Sequence, residues 1–186
     1  TDTVRNAFFV STLMENKFPV IVVGNSGVAK STIVQQVLDT LQGDNPVLEN
    51  TNSMNINMSA QTSSSMLQSI IEGRFEKRQK GKFGPAGGKK MVAFVDDLNM
   101  PARDKFGSQP PLELLRQWMD FGGWYDRSNQ VWKNILDLQL VAAMGPPGGG
   151  RSQISSRTQA RFCLANFTMP NDVMMKRIFS TMLGQR

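Results

Sequence analysis

The stretch Phe18 to Ser31, FPVIVVGNSGVAKS, constrains the fold of this chain more than any other. Phe18 to Val23 is a short apolar run rich in β-branched residues, the pattern of a buried strand. Ser31 to Leu41 (STIVQQVLDTL) places Ile33, Val34, Val37, Leu38 and Leu41 at helical spacing, and Gly43 supplies a stop signal after it. Between strand and helix lies Gly24-Asn25-Ser26-Gly27-Val28-Ala29-Lys30-Ser31, with Thr32 following. It fits the pattern G-x-x-x-x-G-K-[ST] at every fixed position except Ala29. Such a turn aims successive backbone N–H groups at one point, and the positive end of the following helix adds to them, so phosphate oxygens bind there. In this pattern Lys30 reaches the β- and γ-phosphates and the Ser31 hydroxyl binds Mg²⁺. Ala29 is the weak point, because a Cβ is strained wherever the backbone takes a positive φ.

A second signal lies downstream in MVAFVDDLNMP, Met91 to Pro101. Met91 to Val95 reads as a buried strand that runs into Asp96 and Asp97, a Walker B pattern. Asp96 is suited to hold the Mg²⁺ of a nucleotide, usually through water, and Asp97 to orient or deprotonate an attacking water. A third strand, Leu138 to Ala143, ends in Met144 and the turn GPPGGGR, Gly145 to Arg151. Many ATPases place a polar sensor at the end of such a strand; here Gly145 stands there and offers no side chain. Arg157 and Arg161 follow in SSRTQARF, each either a finger for a neighbouring site or a structural arginine.

The other elements are consistent with an α/β fold. Helices are expected over Val4–Asn16, with Val4, Ala7, Phe8 and Leu13 on one face, over Ser64–Lys77, from Pro110-Pro111 to Gly122-Gly123, and over Asn171–Leu183, whose Met174 and Met175 point to the core. Met54–Met58 reads as a strand and Trp124–Lys133 as a hairpin. Arg74–Lys90, rich in lysine and glycine, reads as a mobile exposed loop rather than a functional contact. Strands alternating with helices indicate a parallel sheet flanked by helices, in which Gly24–Lys30, Asp96–Pro101 and Met144–Arg151 meet at the carboxyl ends of the strands.

Composition removes whole classes of chemistry. The sole cysteine, Cys163, excludes an internal disulfide, and with no histidine the usual zinc sites and Ser-His or Cys-His nucleophiles are excluded too. At 186 residues and 40% hydrophobic the chain is sized for one domain with a real core. No apolar run reaches the roughly 20 residues of a membrane span, so no membrane partner is expected. The net charge of +6 suits an anionic partner or a solvated surface, and the basic segment, apart from Phe75 and Phe83, lacks the interleaved aromatics of a nucleic-acid binder, so no nucleic-acid partner is expected. The first residue is not Met and the opening residues already read as helix, so an excised piece of a longer protein is expected.

With these motifs in place, DTVR (Asp2–Arg5), FPVIVVGNSGVAKS, NMSAQTSS (Asn57–Ser64), KRQKGKFGPAGGKK, FVDDLNMP (Phe94–Pro101), GSQPPLELLRQWMDFGGWYD and AAMGPPGGGR resemble the third AAA+ module of axonemal dynein heavy chains. The resemblance covers nearly the whole chain. It implies the large α/β subdomain of a P-loop AAA+ ATPase, without its helical lid, in a ring of six modules within one heavy chain. That ring drives a microtubule motor of the cytoplasm and cytoskeleton, in the axoneme of cilia and flagella. It further implies ATP or ADP with Mg²⁺ as ligand, the neighbouring modules as partners, and the microtubule as a partner reached through other parts of the protein. Lys30, Ser31, Asp96 and Asp97 then match the Walker residues, DTVR lies near the adenine, and Arg157 faces the site of the preceding module. Ala29, an Asp at 97 in place of Glu, Gly145 in place of a sensor Asn, and the missing lid all count against efficient hydrolysis. The expectation is a slow regulatory ATPase or a structural ring module with static or no nucleotide; a different AAA+ remodelling ATPase is the remaining alternative.

Overall fold

A strand that is apolar on both faces must be covered on both, and three strands here are of that kind. The computed structural model describes residues 2–44 and 51–184, with side chains described for 2–40 and 51–184. In chain order the elements are α1 (Asp2–Glu15), β1 (Val20–Val23), α2 (Lys30–Asp44), β2 (Thr51–Asn57), α3 (Ser64–Glu72), β3 (Phe75–Gln79), β4 (Lys82–Pro85), β5 (Lys90–Asp96), α4 (Pro110–Phe121), β6 (Gly123–Tyr125), β7 (Trp132–Ile135), β8 (Leu138–Met144), α5 (Ser156–Gln159), β9 (Cys163–Asn166) and α6 (Asp172–Gly184). The main sheet has the order β2-β5-β8-β1-β9, and every pairing in it is parallel.

Alternation along each central strand divides the core in two. Ile21 of β1, Met91, Ala93 and Val95 of β5, and Leu140, Ala142 and Met144 of β8 face one side, with Leu67 and Ile71 of α3 and Leu112 and Leu115 of α4. Val20 and Val22, Val92 and Phe94, and Val141 and Ala143 face the other, with Val10 and Met14 of α1 and Ile33, Val34, Val37 and Leu38 of α2. Each fully buried aliphatic side chain contributes roughly 1.5–3 kcal/mol. A one-residue slip of β1, β5 or β8 would exchange the two sets, so the register is fixed by the packing. This is the expected parallel α/β architecture, with the three loops at one end.

The segment Arg74–Lys90 corrects the sequence reading. It is not a mobile loop but the hairpin β3–β4, part of a second sheet in the order β3-β4-β7-β6. Phe75 and Phe83 are half-buried against the α3–α4 side of the core, while the lysines between them stay in water. The apolar anchors are too few and too widely spaced for a strand signal against so many charges. Arg78 is structural: it pairs with Asp137 and donates to the Pro85 carbonyl at 3.2 Å and the Lys89 carbonyl at 2.7 Å. Helix α3 accordingly ends at Glu72 rather than Lys77, with the Gly73 N–H donating to the Ser69 and Ile71 carbonyls. The hairpin expected over Trp124–Lys133 is present as β6–β7.

Three further readings change. On α1 the buried residues are Val10 and Met14, whereas Val4 and Phe8 are 67% and 71% exposed. No residue of α6 is buried, so Met174 and Met175 do not reach the core. Gly43 lies inside α2, which continues to Asp44; the Leu41 side chain lies outside the described residues. Strand β9 and the single turn α5 give no clear sequence signal, because each is only four residues long and Cys163–Asn166 has no β-branched residue.

A polar cluster ties the second sheet to α3. The Glu72 carboxylate accepts from Lys133 Nζ at 2.8 Å, Gln68 Nε2 at 2.8 Å and the buried Trp124 Nε1 at 2.8 Å. Desolvation raises the Glu72 pKa, but the hydrogen bonds from Lys133, Gln68 and Trp124 outweigh it and hold it below its ordinary value of 4.5. A carboxylate with a depressed pKa stabilises the fold fully above its unfolded pKa, and that contribution is lost as pH falls from there through the lower folded pKa. Glu72→Gln is therefore expected to lower the urea midpoint near neutral pH, with the gap to wild type closing as pH falls below about 4. A gap that stays constant with pH would remove the carboxylate as its source.

Candidate functional site

At the end of β1 the chain turns through Gly24–Ala29 into α2. Gly24 is buried: a Cβ there would lie 2.4 Å from the Phe167 carbonyl oxygen, so no side chain fits. Its N–H donates to the Met144 carbonyl at 3.2 Å, which ties the loop to the end of β8, and Val28, 6% exposed, anchors it in the core. Ala29 takes φ 60°, the left-handed conformation in which a Cβ is strained. The Ile33 N–H donates to the Ala29 carbonyl at 2.9 Å as α2 begins. The N–H groups of a first helical turn have no intrahelical acceptor, so they are free to meet an anion.

Strand β8 separates β1 from β5, and the loops above them still touch. Ser31 Oγ donates to Asp96 Oδ2 at 2.5 Å, and the Asp97 N–H donates to Asp96 Oδ1 at 2.9 Å. The hydroxyl and the carboxylate form a pair of hard oxygen donors, a set that fits Mg²⁺ completed by phosphate and water oxygens. Lys30 Nζ donates to the Asn25 carbonyl at 2.8 Å. Desolvation lowers the Lys30 pKa, and the Arg151 cation adds to this against the pull of Asp96 and Asp97. Asp97 sits at φ 52° and is loosely paired with Arg151, Oδ1 to Nη2 at 3.7 Å.

Gly24, Gly27, Val28, Ala29, Lys30, Ser31, Asp96 and Asp97 belong to one continuous end of the sheet, with Asn25 and Ser26 exposed on the loop and Thr32 exposed on α2. Gly145 is buried next to Arg151. Arg157 lies apart from this end and lines a separate cavity with Arg103, Phe106 and Gln109. It is exposed and makes no side-chain hydrogen bond or ion pair among the described residues, whereas Arg161 is paired with Asp120 at 2.6 Å.

Two residues at the site were missed. Asn99 is fully buried: its Nδ2 donates to the Gly145 carbonyl at 2.9 Å, and its own carbonyl accepts from the Ser152 N–H at 3.0 Å. It fastens the Asp96–Pro101 loop to the Met144–Arg151 loop. Arg151 is the other, reaching back from the end of the glycine run. The only sequence signal for either was an Asn two residues after Asp97 and an Arg closing GPPGGGR.

The strain at Ala29 has a measurable sign. A left-handed alanine costs roughly 1–2 kcal/mol, and glycine adds about 0.4–1 kcal/mol of unfolded-chain freedom. Ala29→Gly is expected to range from neutral to about 1.5 kcal/mol more stable. Ala7→Gly within α1 is expected to cost about 1 kcal/mol. Denaturant midpoints of the two variants check this; equal destabilisation would exclude strain at Ala29.

The matches with known proteins agree with this geometry. Residues 1–170 match the family described as P-loop containing dynein motor region. The chain is 54% identical over 185 residues to dynein axonemal heavy chain 2 of Mus musculus and 54% to the dynein-1-beta heavy chain, flagellar inner arm I1 complex, of Chlamydomonas reinhardtii. It is 51% identical to dynein axonemal heavy chain 2 of Homo sapiens. In each case the whole chain is covered, and it spans 4% of the relative's length. The loop, the strand order and this full-length similarity agree: the chain belongs to the P-loop dynein motor region of axonemal dynein heavy chains.

Proposed function

We propose that this chain is a regulatory nucleotide-binding module, the third of the ring, in an axonemal dynein motor. It takes Mg-ATP or Mg-ADP at Gly24–Thr32 and modulates microtubule-based movement of cilia and flagella, with weak intrinsic hydrolysis. The observation that carries the reading is the 2.5 Å contact between Ser31 and Asp96 below a glycine loop that opens a helix. The third position is supported by the run from FVDDLNMP to GPPGGGR. Bound Mg-nucleotide supplies the phosphate charge and the Lewis acid. The backbone of Gly24–Ala29 and Lys30 hold the phosphates, Ser31 and Asp96 hold the metal, and Asp97 orients water. Arg157, exposed and unpaired among the described residues, serves the site of the preceding module.

Weak hydrolysis follows from the same residues. Asp97 is one methylene shorter than Glu, which withdraws its carboxylate by about 1.5 Å. A misplacement of about 1 Å can cost on the order of a hundredfold in rate. Gly145 contributes no side-chain donor. An arginine finger from a neighbouring module is a further requirement, worth about 10³–10⁵ in rate. A structural module with static nucleotide is the second reading. It is favoured by the pairing of Arg151 with Asp97, which engages the carboxylate that turnover needs.

Lys30→Ala is expected to cost roughly 1.5–3 kcal/mol in Mg-ATP affinity, about a tenfold to hundredfold loss, as one charge-assisted contact disappears. Titration calorimetry checks it, and equal binding by wild type and variant would remove the site assignment. Phosphate release by the chain is expected to be far below 1 s⁻¹, an ordinary enzymatic rate being about 10 s⁻¹. Lys30-dependent turnover at or above about 1 s⁻¹ would make it an autonomous ATPase.

A further inference from the structure

The glycine run after β8 is built to return the chain on itself. The Gly148 N–H donates to the Arg151 carbonyl at 3.0 Å and the Arg151 N–H to the Gly148 carbonyl at 3.1 Å. The two residues between them, Gly149 and Gly150, take φ 57° and 85°. Two successive left-handed residues define a tight turn that glycine adopts without strain. The turn carries Arg151 back over Gly145. A Cβ on Gly145 would lie 2.8 Å from Arg151 Nε and 2.9 Å from its Cδ. The arginine stem therefore fills the space that a side chain at 145 would occupy, at the strand end where many ATPases carry a polar sensor.

The bonding of Arg151 is incomplete. Its Nε is buried with no hydrogen-bond partner among the described residues, and its Nη2 stands 3.7 Å from Asp97 Oδ1. Charge-assisted N–H···O contacts normally close to about 2.7–2.9 Å, so this pair is open enough to exchange for a better acceptor. Lys30 lies close enough for the two cations to feel each other, and Asp96 and Asp97 lie beside them. Two like charges converging at the mouth of a phosphate loop favour a ligand that carries several negative charges. A planar guanidinium is suited to take a terminal phosphate through two N–H donors.

We propose that Arg151 contacts the terminal phosphate of a nucleoside triphosphate and releases Asp97 as it does so, giving the site its preference for triphosphate over diphosphate. The proposal rests on the phosphate-loop reading of Gly24–Ser31. It gives Gly145 a role: the missing side chain there makes room for a longer, charged one from the far side of the turn.

The test is calorimetric titration of the chain with Mg-ATP and with Mg-ADP, comparing wild type, Arg151→Ala and Arg151→Lys. Arg151→Ala is expected to weaken ATP about tenfold to a hundredfold while ADP changes by no more than about threefold. Arg151→Lys, which keeps the charge but not the fork, is expected to restore part of the preference. Gly145→Asn, which displaces the arginine stem without removing it, is expected to reduce the ATP-to-ADP ratio as well. A structural role would weaken both nucleotides together, so an unchanged ratio in Arg151→Ala overturns the proposal. Failure of the underlying reading looks different: wild type would then bind neither nucleotide, or Lys30→Ala would bind both as well as wild type.

Discussion

The fold and the site both depend on one constraint, the parallel register of β1, β8 and β5. These three strands are buried on both faces, and each is held by two sets of side chains that cannot be exchanged. Because they run in the same direction, their carboxyl ends deliver three loops to one edge. The Gly24 N–H on the Met144 carbonyl, the Leu98 N–H on the Ala143 carbonyl and the Asn99 amide on the Gly145 carbonyl then join those loops. The 2.5 Å approach of Ser31 to Asp96 is a product of that joining, since a whole strand lies between the strands that carry them.

Much of this was legible in the sequence because the informative signals were local. An apolar β-branched run, a glycine loop and an amphipathic helix occupy consecutive residues, and an apolar run leading into paired aspartates does the same. What was not legible depends on contacts between distant residues. Phe75 and Phe83 reveal their strands only once Trp124, Ile135 and the α3–α4 side of the core are present to receive them. Asn99 looked like an ordinary loop residue because its partners, Gly145 and Ser152, come from another strand's end. In the sequence Arg151 is only the end of a glycine turn, and the direction of that turn, set by the Gly148–Arg151 hydrogen bonds, is what gives it a place.

The second sheet shows how a charge-rich segment can be ordered without a large apolar face. Lys133 bridges Glu72 at 2.8 Å and Asp126 at 2.7 Å, and Arg127 reaches Gln68 at 2.9 Å and Ser64 at 2.8 Å. The half-buried pairs are held by several partners each, which matters because isolated surface pairs contribute little. Helix α6 is the contrary case: Val173, Ile178, Phe179, Met182 and Leu183 are all exposed.

The backbone at Asp97 limits how this position can change. At φ 52° short polar side chains such as Asp and Asn are the tolerated non-glycine choices, and bulkier ones are increasingly strained. Asn and Gly therefore fit the conformation but abolish the charge, while Glu keeps the charge and extends it but burdens the backbone. Every single replacement gives up either acidity or geometric ease. Glutamate at 97 therefore trades backbone ease for reach, and asparagine trades charge for it.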